Sequence, residues 1–314
     1  MPNTQFEALG RAGRLFEVKS GSRSAVVTEE GAGLFRVNWD GTELLSPAND
    51  DGFGGNGGHG QILVPWPGRV AKGCYEFGGE GYQLPVDDHV TNAAIHGFAR
   101  WLTWSRKDHD ADRVTLASRM LARQGYPFCF DLEQSYTWLA GSLEIALSAT
   151  NVGDRTAPFG YGCHPYFTVG TETVDDAVLG VPADQYLKVD DVLNPVGLPE
   201  PVDGTPFDFR EPRPVGPTHF DVTLAGLVRD QDGNVGVKLA SPDGSATVTC
   251  TFGPAVKYIQ LYSGDTLAPP LKRRALAIEP YTCAPNAFNN GLGLLCVPPG
   301  GSVRVAWTIS AGAS

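Results

Sequence analysis

Apolar and polar residues alternate along most of this chain. "LFRVNW" sets Phe35, Val37 and Trp39 against Arg36 and Asn38, and Asp40-Gly41 then turns the chain. "SLEIALSA" sets Leu143, Ile145 and Leu147 against Glu144 and Ala146. The same period runs through "RVTLASRM", "PFCFDLEQSYTW", "ATVTCTF", "VKYIQLYS", "ALAIEP" and "SVRVAWTIS". Side chains along a strand point to alternate faces, so this period marks strands with one face in a core. "CYEFGGEGYQL" reads as a hairpin turning at Gly78-Gly79. Short strands parted by Gly, Pro, Asp and Asn predict an all-β fold, a large β-sandwich with few short helices. "DVTLAGLV", from Asp221 to Val228, predicts one such helix, with Asp221 as its N-cap. No linker or internal repeat divides the chain, which is read as a single domain, 1–314. The alternative is two packed sandwiches with a boundary near residues 182–218.

Composition narrows the class. Hydrophobic residues make up 42% and charged residues 19% of the 314, as in a soluble globular protein. A formal net charge of -11 argues against nucleic acid and anionic membranes as partners. The N-terminus lacks the apolar core of a signal peptide, and no run approaches the roughly 20 apolar residues of a membrane helix. Cys74, Cys129, Cys163, Cys250, Cys283 and Cys296 include no CxxC pair and read as reduced thiols. A cytoplasmic protein, monomer or homodimer, with a small-molecule partner is expected.

Two strands carry the candidate chemistry. In "GYGCHPYF", Phe159, Tyr161, Cys163 and Phe167 share one face, while Gly160, Gly162, His164 and Tyr166 share the other. In "ALAIEP", Ala275, Ala277 and Glu279 share a face, and Pro280 stops the ladder. Each time, small residues precede an ionisable one, which predicts cleared space beside His164 and Glu279. Free histidine titrates near about 6.5 and glutamate near about 4.3, so the pair can give one proton and take one. His96 in "NAAIHGFARW" and Arg69 in "VPWPGRV" are further candidates, the arginine because its planar fork suits hydroxyls or a carboxylate. "GFGGNGGHGQ", Gly52 to Gln61, lacks the Lys-Ser/Thr of a phosphate loop and reads as a flexible loop. His59, His89, His96, His109, His164 and His219 show no HxH or HExxH spacing, so neither a metal nor another cofactor is expected.

Together these stretches resemble the aldose 1-epimerase, or galactose mutarotase-like, family. The resemblance runs over nearly the whole chain. It is carried by "PWPGRVAKGCYEFGGEGYQLP", "NAAIHGF", "GYGCHPYF", "HFDVTLAGL", "YIQLYSGDTL" and "ALAIEPYTCAPNAFNNG", in that order. It implies a β-supersandwich whose concave face binds a free sugar, with His164 as general acid and Glu279 as general base. It places Arg69, His96 and Asp221 on sugar hydroxyls, with Gln260 and Tyr262 on the floor. Gly68 stands where members often have Asn, and Phe98 where many have a second glycine; both are expected at the sugar site.

The implied activity is mutarotation of a hexose such as glucose or galactose. A hexose 6-phosphate is the variant substrate, with Lys272 to Arg274 as its anchor. The other readings are a non-catalytic sugar-binding protein and a glycosidase using Glu279 and Asp221, which would leave both histidines without a role.

Overall fold

The computed structural model describes residues 10–46, 49 and 57–312. Part of the glycine-rich stretch, residues 52–56, lies outside the described residues. The fold is all-β, and the predicted strands form. In Phe130–Trp138 every second residue is buried, from Phe130 through Leu132, Gln134 and Tyr136 to Trp138. That strand pairs along its full length with Leu143–Asn151. Among the described residues they belong to a nine-stranded antiparallel sheet. Its order is Ser105–His109, Arg113–Met120, Phe130–Trp138, Leu143–Asn151, Ser302–Gly312, Thr247–Phe252, Val235–Ala240, Val178–Gly180 and Arg213–Pro214. The edge strand Ser105–His109 is exposed throughout and polar, a character that disfavours edge-to-edge pairing.

A second large sheet carries the candidate site. Its order is Glu200–Pro201, Ala183–Leu187, Asp221–Leu227, Tyr258–Tyr262, Leu276–Tyr281, Gly162–Cys163 and Ile62–Leu63. Tyr166–Phe167 also pairs with Leu276–Tyr281. A four-stranded sheet, Leu15–Ser20 to Thr42–Glu43, completes the sandwich. One apolar cluster draws on all three sheets. Polar tips of buried aromatics tie them together: Trp307 Nε1 donates to Tyr161 Oη (3.0 Å) and Trp138 Nε1 to the Val18 carbonyl (3.2 Å). The turns at Asp40-Gly41 and Gly78-Gly79 have positive φ at both residues, the geometry that matches strand twist in a two-residue hairpin.

The structure corrects two larger expectations and a local one: Pro280 does not stop its ladder, because Leu276–Tyr281 runs through it with Pro280 opposite Ile259. Asp221 to Val228 is not a helix; Asp221–Leu227 is a strand paired on both sides. Thr223 and Ala225 are buried as well as Val222 and Leu224, so burial on both faces erases the polar half of the alternation. Among the described residues helices are confined to single turns, Ala287–Asn290 being one.

The second correction concerns the glycines. The chain does not run as one strand through Gly160 to Tyr166; it pairs at Gly162–Cys163, breaks at His164-Pro165 and pairs again at Tyr166–Phe167. The space over the glycines is full of protein. A Cβ on Gly160 would overlap Cys283 Sγ, and one on Gly162 would lie 2.8 Å from Pro67 Cβ and from Tyr281 Cδ1. The space at Ala275 and Ala277 is taken by Tyr166, Tyr262 and Leu267. The small residues therefore make room for the Pro67 loop and for the rings of Tyr281, Tyr166 and Tyr262. They do not open a cavity.

Overpacking a core costs about 1–3 kcal/mol, so Gly162→Ala should lower stability by that amount in urea denaturation. Gly236 lies in a strand with nothing within 4 Å of its Cβ position. Gly236→Ala should therefore be neutral or stabilising, by up to about 1 kcal/mol. Equal stability of the two variants would show that Gly162 is not a packing requirement.

Candidate active site

The register of three strands builds the floor. Thr223 pairs with Gln260, and Gln260 with Glu279; one step along, Asp221 pairs with Tyr262, and Tyr262 with Ala277. Directly opposed residues share a sheet face, so these side chains stand together. Ile278 and Leu276 point the other way into the main core. Glu279 is 1% exposed, and Tyr281, two residues on, donates its hydroxyl to Glu279 Oε2 at 2.8 Å. Gln260 Nε2 donates to Asp221 Oδ1, and Thr223 Oγ1 donates to Gln260 Oε1, which fixes the amide orientation.

His164 enters from the break in its strand. Its backbone N–H donates to the Gln61 carbonyl and its carbonyl accepts from Gly60, so the residue is held by the loop and not by the sheet ladder. Its Nε2 lies 3.4 Å from Glu279 Oε1.

Two loops bring the remaining candidates. Arg69 opens the short strand Arg69–Ala71, which pairs with Ala93–Ile95. Its Nε donates to Asp88 Oδ2 at 3.0 Å, and its Nη1 stands 3.6 Å from Asp221 Oδ2. Asp88 also accepts from Thr91 Oγ1 and from the backbone of Val90 and Thr91. The adjacent Asp87 accepts from the Ile95 N–H and from Arg100 Nη2. Two successive aspartates thus brace Arg69 and the turn that carries His96. Gly68 N–H donates to His96 Nδ1 at 3.2 Å, so the neutral ring carries its proton on Nε2. The His96 and His164 rings meet edge to face, 5.4 Å apart.

The structure therefore gathers His164, Glu279, His96, Arg69, Asp221 and Gln260. Tyr262 shares their face, with its hydroxyl turned to Thr266 Oγ1. Asp221 is a strand residue in this group rather than a helix cap. Phe98 is not at the site: it packs edge-on against Trp66 and joins the core. Of the Lys272 to Arg274 run, Arg273 is buried and bonded to Asp175 and Asp265, while Lys272 and Arg274 are exposed. The sequence reading missed Tyr281 and Asp88, and it put Tyr166 on the His164 face and named His59 without giving either a role. Tyr281 was findable, since it follows Glu279 by two positions on the same face. Nothing local marks Asp88.

Burial sets the electrostatics. It pushes His164 down to about 3, with the nearby His59 adding to the effect, and holds His96 well below the ordinary imidazole range. It lifts Glu279 well above the carboxylate range, against the Tyr281 hydrogen bond that favours the charged form, and it raises Asp221. The order of basicity in free solution is thus countered. The unliganded pair holds one proton, and burial favours it on Glu279 over a charged imidazolium.

Comparison with known proteins bears on the family and the fold. The family model described as aldose 1-epimerase matches residues 14–310. The uncharacterized protein YihR of Escherichia coli K12 is 31% identical over 311 residues, covering 98% of this chain and 97% of that one. Mouse galactose mutarotase is 32% identical over 157 residues, 48% of this chain and 45% of its own. An aldose epimerase homologue from C. elegans superimposes with a TM-score of 0.85 at 20% identity, over 96% of this chain and 99% of that one.

A depressed imidazole stays neutral until the pH falls through its lowered value. The ring resonances of His164 should therefore not shift between about pH 5 and 8 in an NMR titration, where a free imidazole would titrate near about 6.5. A midpoint at that ordinary value would show that the ring is solvated.

Proposed function

The chain belongs to the aldose 1-epimerase family, and on that premise we propose that it is an aldose mutarotase, interconverting the α and β anomers of a free hexose such as glucose or galactose. The observation that carries this reading is the buried contact of 3.4 Å between His164 Nε2 and Glu279 Oε1. Mutarotation needs one proton delivered to the ring oxygen and one removed from the anomeric hydroxyl. With the sugar bound, the pair's one proton passes from Glu279 to His164 Nε2, and His164 gives it to the ring oxygen as the bond from that oxygen to C1 breaks. Glu279 takes the C1 hydroxyl proton, and that O–H electron pair becomes the second bond of the aldehyde. Rotation about C1–C2 presents the other carbonyl face. On closure Glu279 returns its proton to the carbonyl oxygen, and His164 recovers one from the attacking hydroxyl.

The shuttle runs in both directions within each turnover. A pair levelled by burial suits it better than one in which the proton is strongly held by one partner. Arg69 and the Nε2–H of His96 are donors for sugar hydroxyls, and Asp221 is an acceptor. Gln260 and Tyr262 line the floor. Arg273 is committed to Asp175 and Asp265, which removes one of the three cations that would anchor a hexose 6-phosphate and leaves Lys272 and Arg274 exposed, so the free hexose is the favoured substrate.

The test is NMR or polarimetry of freshly dissolved α-D-glucose and α-D-galactose. The protein should speed the approach to anomeric equilibrium; no acceleration with either sugar would overturn the assignment to a free hexose of this kind. General acid–base catalysis contributes about 10²–10⁴-fold, so Glu279→Gln and His164→Asn should each cut kcat at least 10²-fold while sugar binding changes little. The double variant should be little worse than either single one, because the groups act as a unit. Retention of most activity in Glu279→Gln would place the base elsewhere.

Adding a second proton makes the pair cationic, and removing its one proton makes it anionic. Burial opposes both changes. The acid limb of kcat/KM should therefore lie below the ordinary histidine range and the alkaline limb above the ordinary carboxylate range, so the profile is broadened on both sides. A bell centred between two unshifted values would contradict the burial argument.

A further inference from the structure

A general-acid histidine is ordinarily oriented through its other ring nitrogen, by a carboxylate or carbonyl that accepts its hydrogen bond. Here His164 Nδ1 is buried and has no hydrogen-bond partner among the described residues. Something else must fix the ring plane. The His164 and Tyr166 rings lie 4.9 Å apart with planes 15° from parallel. The Tyr166 and His59 rings lie 3.9 Å apart with planes 16° from parallel. Tyr166 is thus the shared member of two stacks.

The stack is tied to the backbone. Tyr166 Oη donates to the Gly57 carbonyl at 2.8 Å, next to the turn that carries His59. Gly60 N–H donates to the His164 carbonyl at 2.9 Å, and His164 N–H to the Gln61 carbonyl at 3.0 Å. A Cβ on Gly58 would come within 3.1 Å of His164 Cδ2, so that backbone also lies against the imidazole. Residues 57–61 therefore hold His164 by its main chain, by its ring edge and, through Tyr166, by its ring face.

We propose that the stacking of His59 on Tyr166 and of Tyr166 on His164, instead of a hydrogen bond at Nδ1, holds the His164 imidazole in its working orientation. His59 and Tyr166 are then positioning residues for the reaction proposed above, and the inference rests on that reading. The ring face of His59 carries the role, and its nitrogens do not.

The experiment measures anomer exchange of glucose or galactose by NMR for the full chain and for His59→Ala, His59→Phe and Tyr166→Leu, each with a thermal unfolding curve. Misplacing a reacting group by 1 Å costs up to about 10²-fold, so His59→Ala should lower kcat roughly tenfold with KM within about twofold of wild type. His59→Phe, which keeps a flat ring, should recover most of the loss, and Tyr166→Leu should fall further than His59→Ala. Unchanged kcat in His59→Ala would overturn the proposal. So would His59→Phe as impaired as His59→Ala, or a rise in KM alone, which would make His59 a sugar contact. His59 is half-buried, so its variants decide the matter even if Tyr166→Leu unfolds. Failure of the wild-type protein to accelerate exchange would overturn the mutarotase reading instead.

Discussion

Burying a carboxylate is costly unless it is neutralised or well paired, and the site is arranged around that constraint. Glu279 sits in the middle of a strand that is laddered on both sides, to Tyr258–Tyr262 and to the segments at Gly162 and Tyr166. It cannot swing out to water. Tyr281 gives it a hydrogen bond on one oxygen, and His164 stands at the other. A proton shared with the imidazole removes the remaining charge. The feature that makes Glu279 tolerable in the fold is therefore the one that lets it exchange a proton.

The imidazole reaches that position because its own strand fails. Pro165 has no N–H to give, and its carbonyl accepts from Ile278 (3.3 Å), so the ladder is interrupted where His164 leaves it. The arginine side is braced in a different way. Asn286, in a left-handed conformation, accepts from the Ala71 N–H and donates its own N–H to the Arg69 carbonyl. It latches the short Arg69 strand to the segment that follows Glu279. Sheet register positions the proton-transfer pair, and loop hydrogen bonds position the groups around it.

Much of this was legible in period 2. Alternation located most of the strands, and it put His164 and Glu279 on faces that share small residues. The reason attached to those small residues was wrong. Gly162 is a glycine because Pro67 and Tyr281 pack over it, and no local pattern names a neighbour from a distant segment. The strand Asp221–Leu227 was hidden for a related reason, since it is apolar or small on both faces. Asp88 and Asn286 were invisible because their partners, Arg69 and Ala71, are fixed only once the loops close. Alternation reports which face a side chain takes, but not what meets it there.

The division between sheet and loops bears on substrate choice. In the proposed reaction acid and base act at C1 and the ring oxygen, which every aldopyranose has, so the pair by itself cannot tell one sugar from another. Discrimination has to come from groups that reach the other hydroxyls. Of the two departures from the family pattern, Phe98 turns away into the core against Trp66. Gly68 is different. Its φ of +65 and the Pro285 side chain, 2.9 Å from where a Cβ would stand, leave no room for a larger residue. An asparagine there would have offered a polar side chain next to Arg69, and this chain offers only a backbone N–H already given to His96. Under the proposed function the contacts that select the sugar would fall more heavily on Arg69, which is held between Asp88 and Asp221.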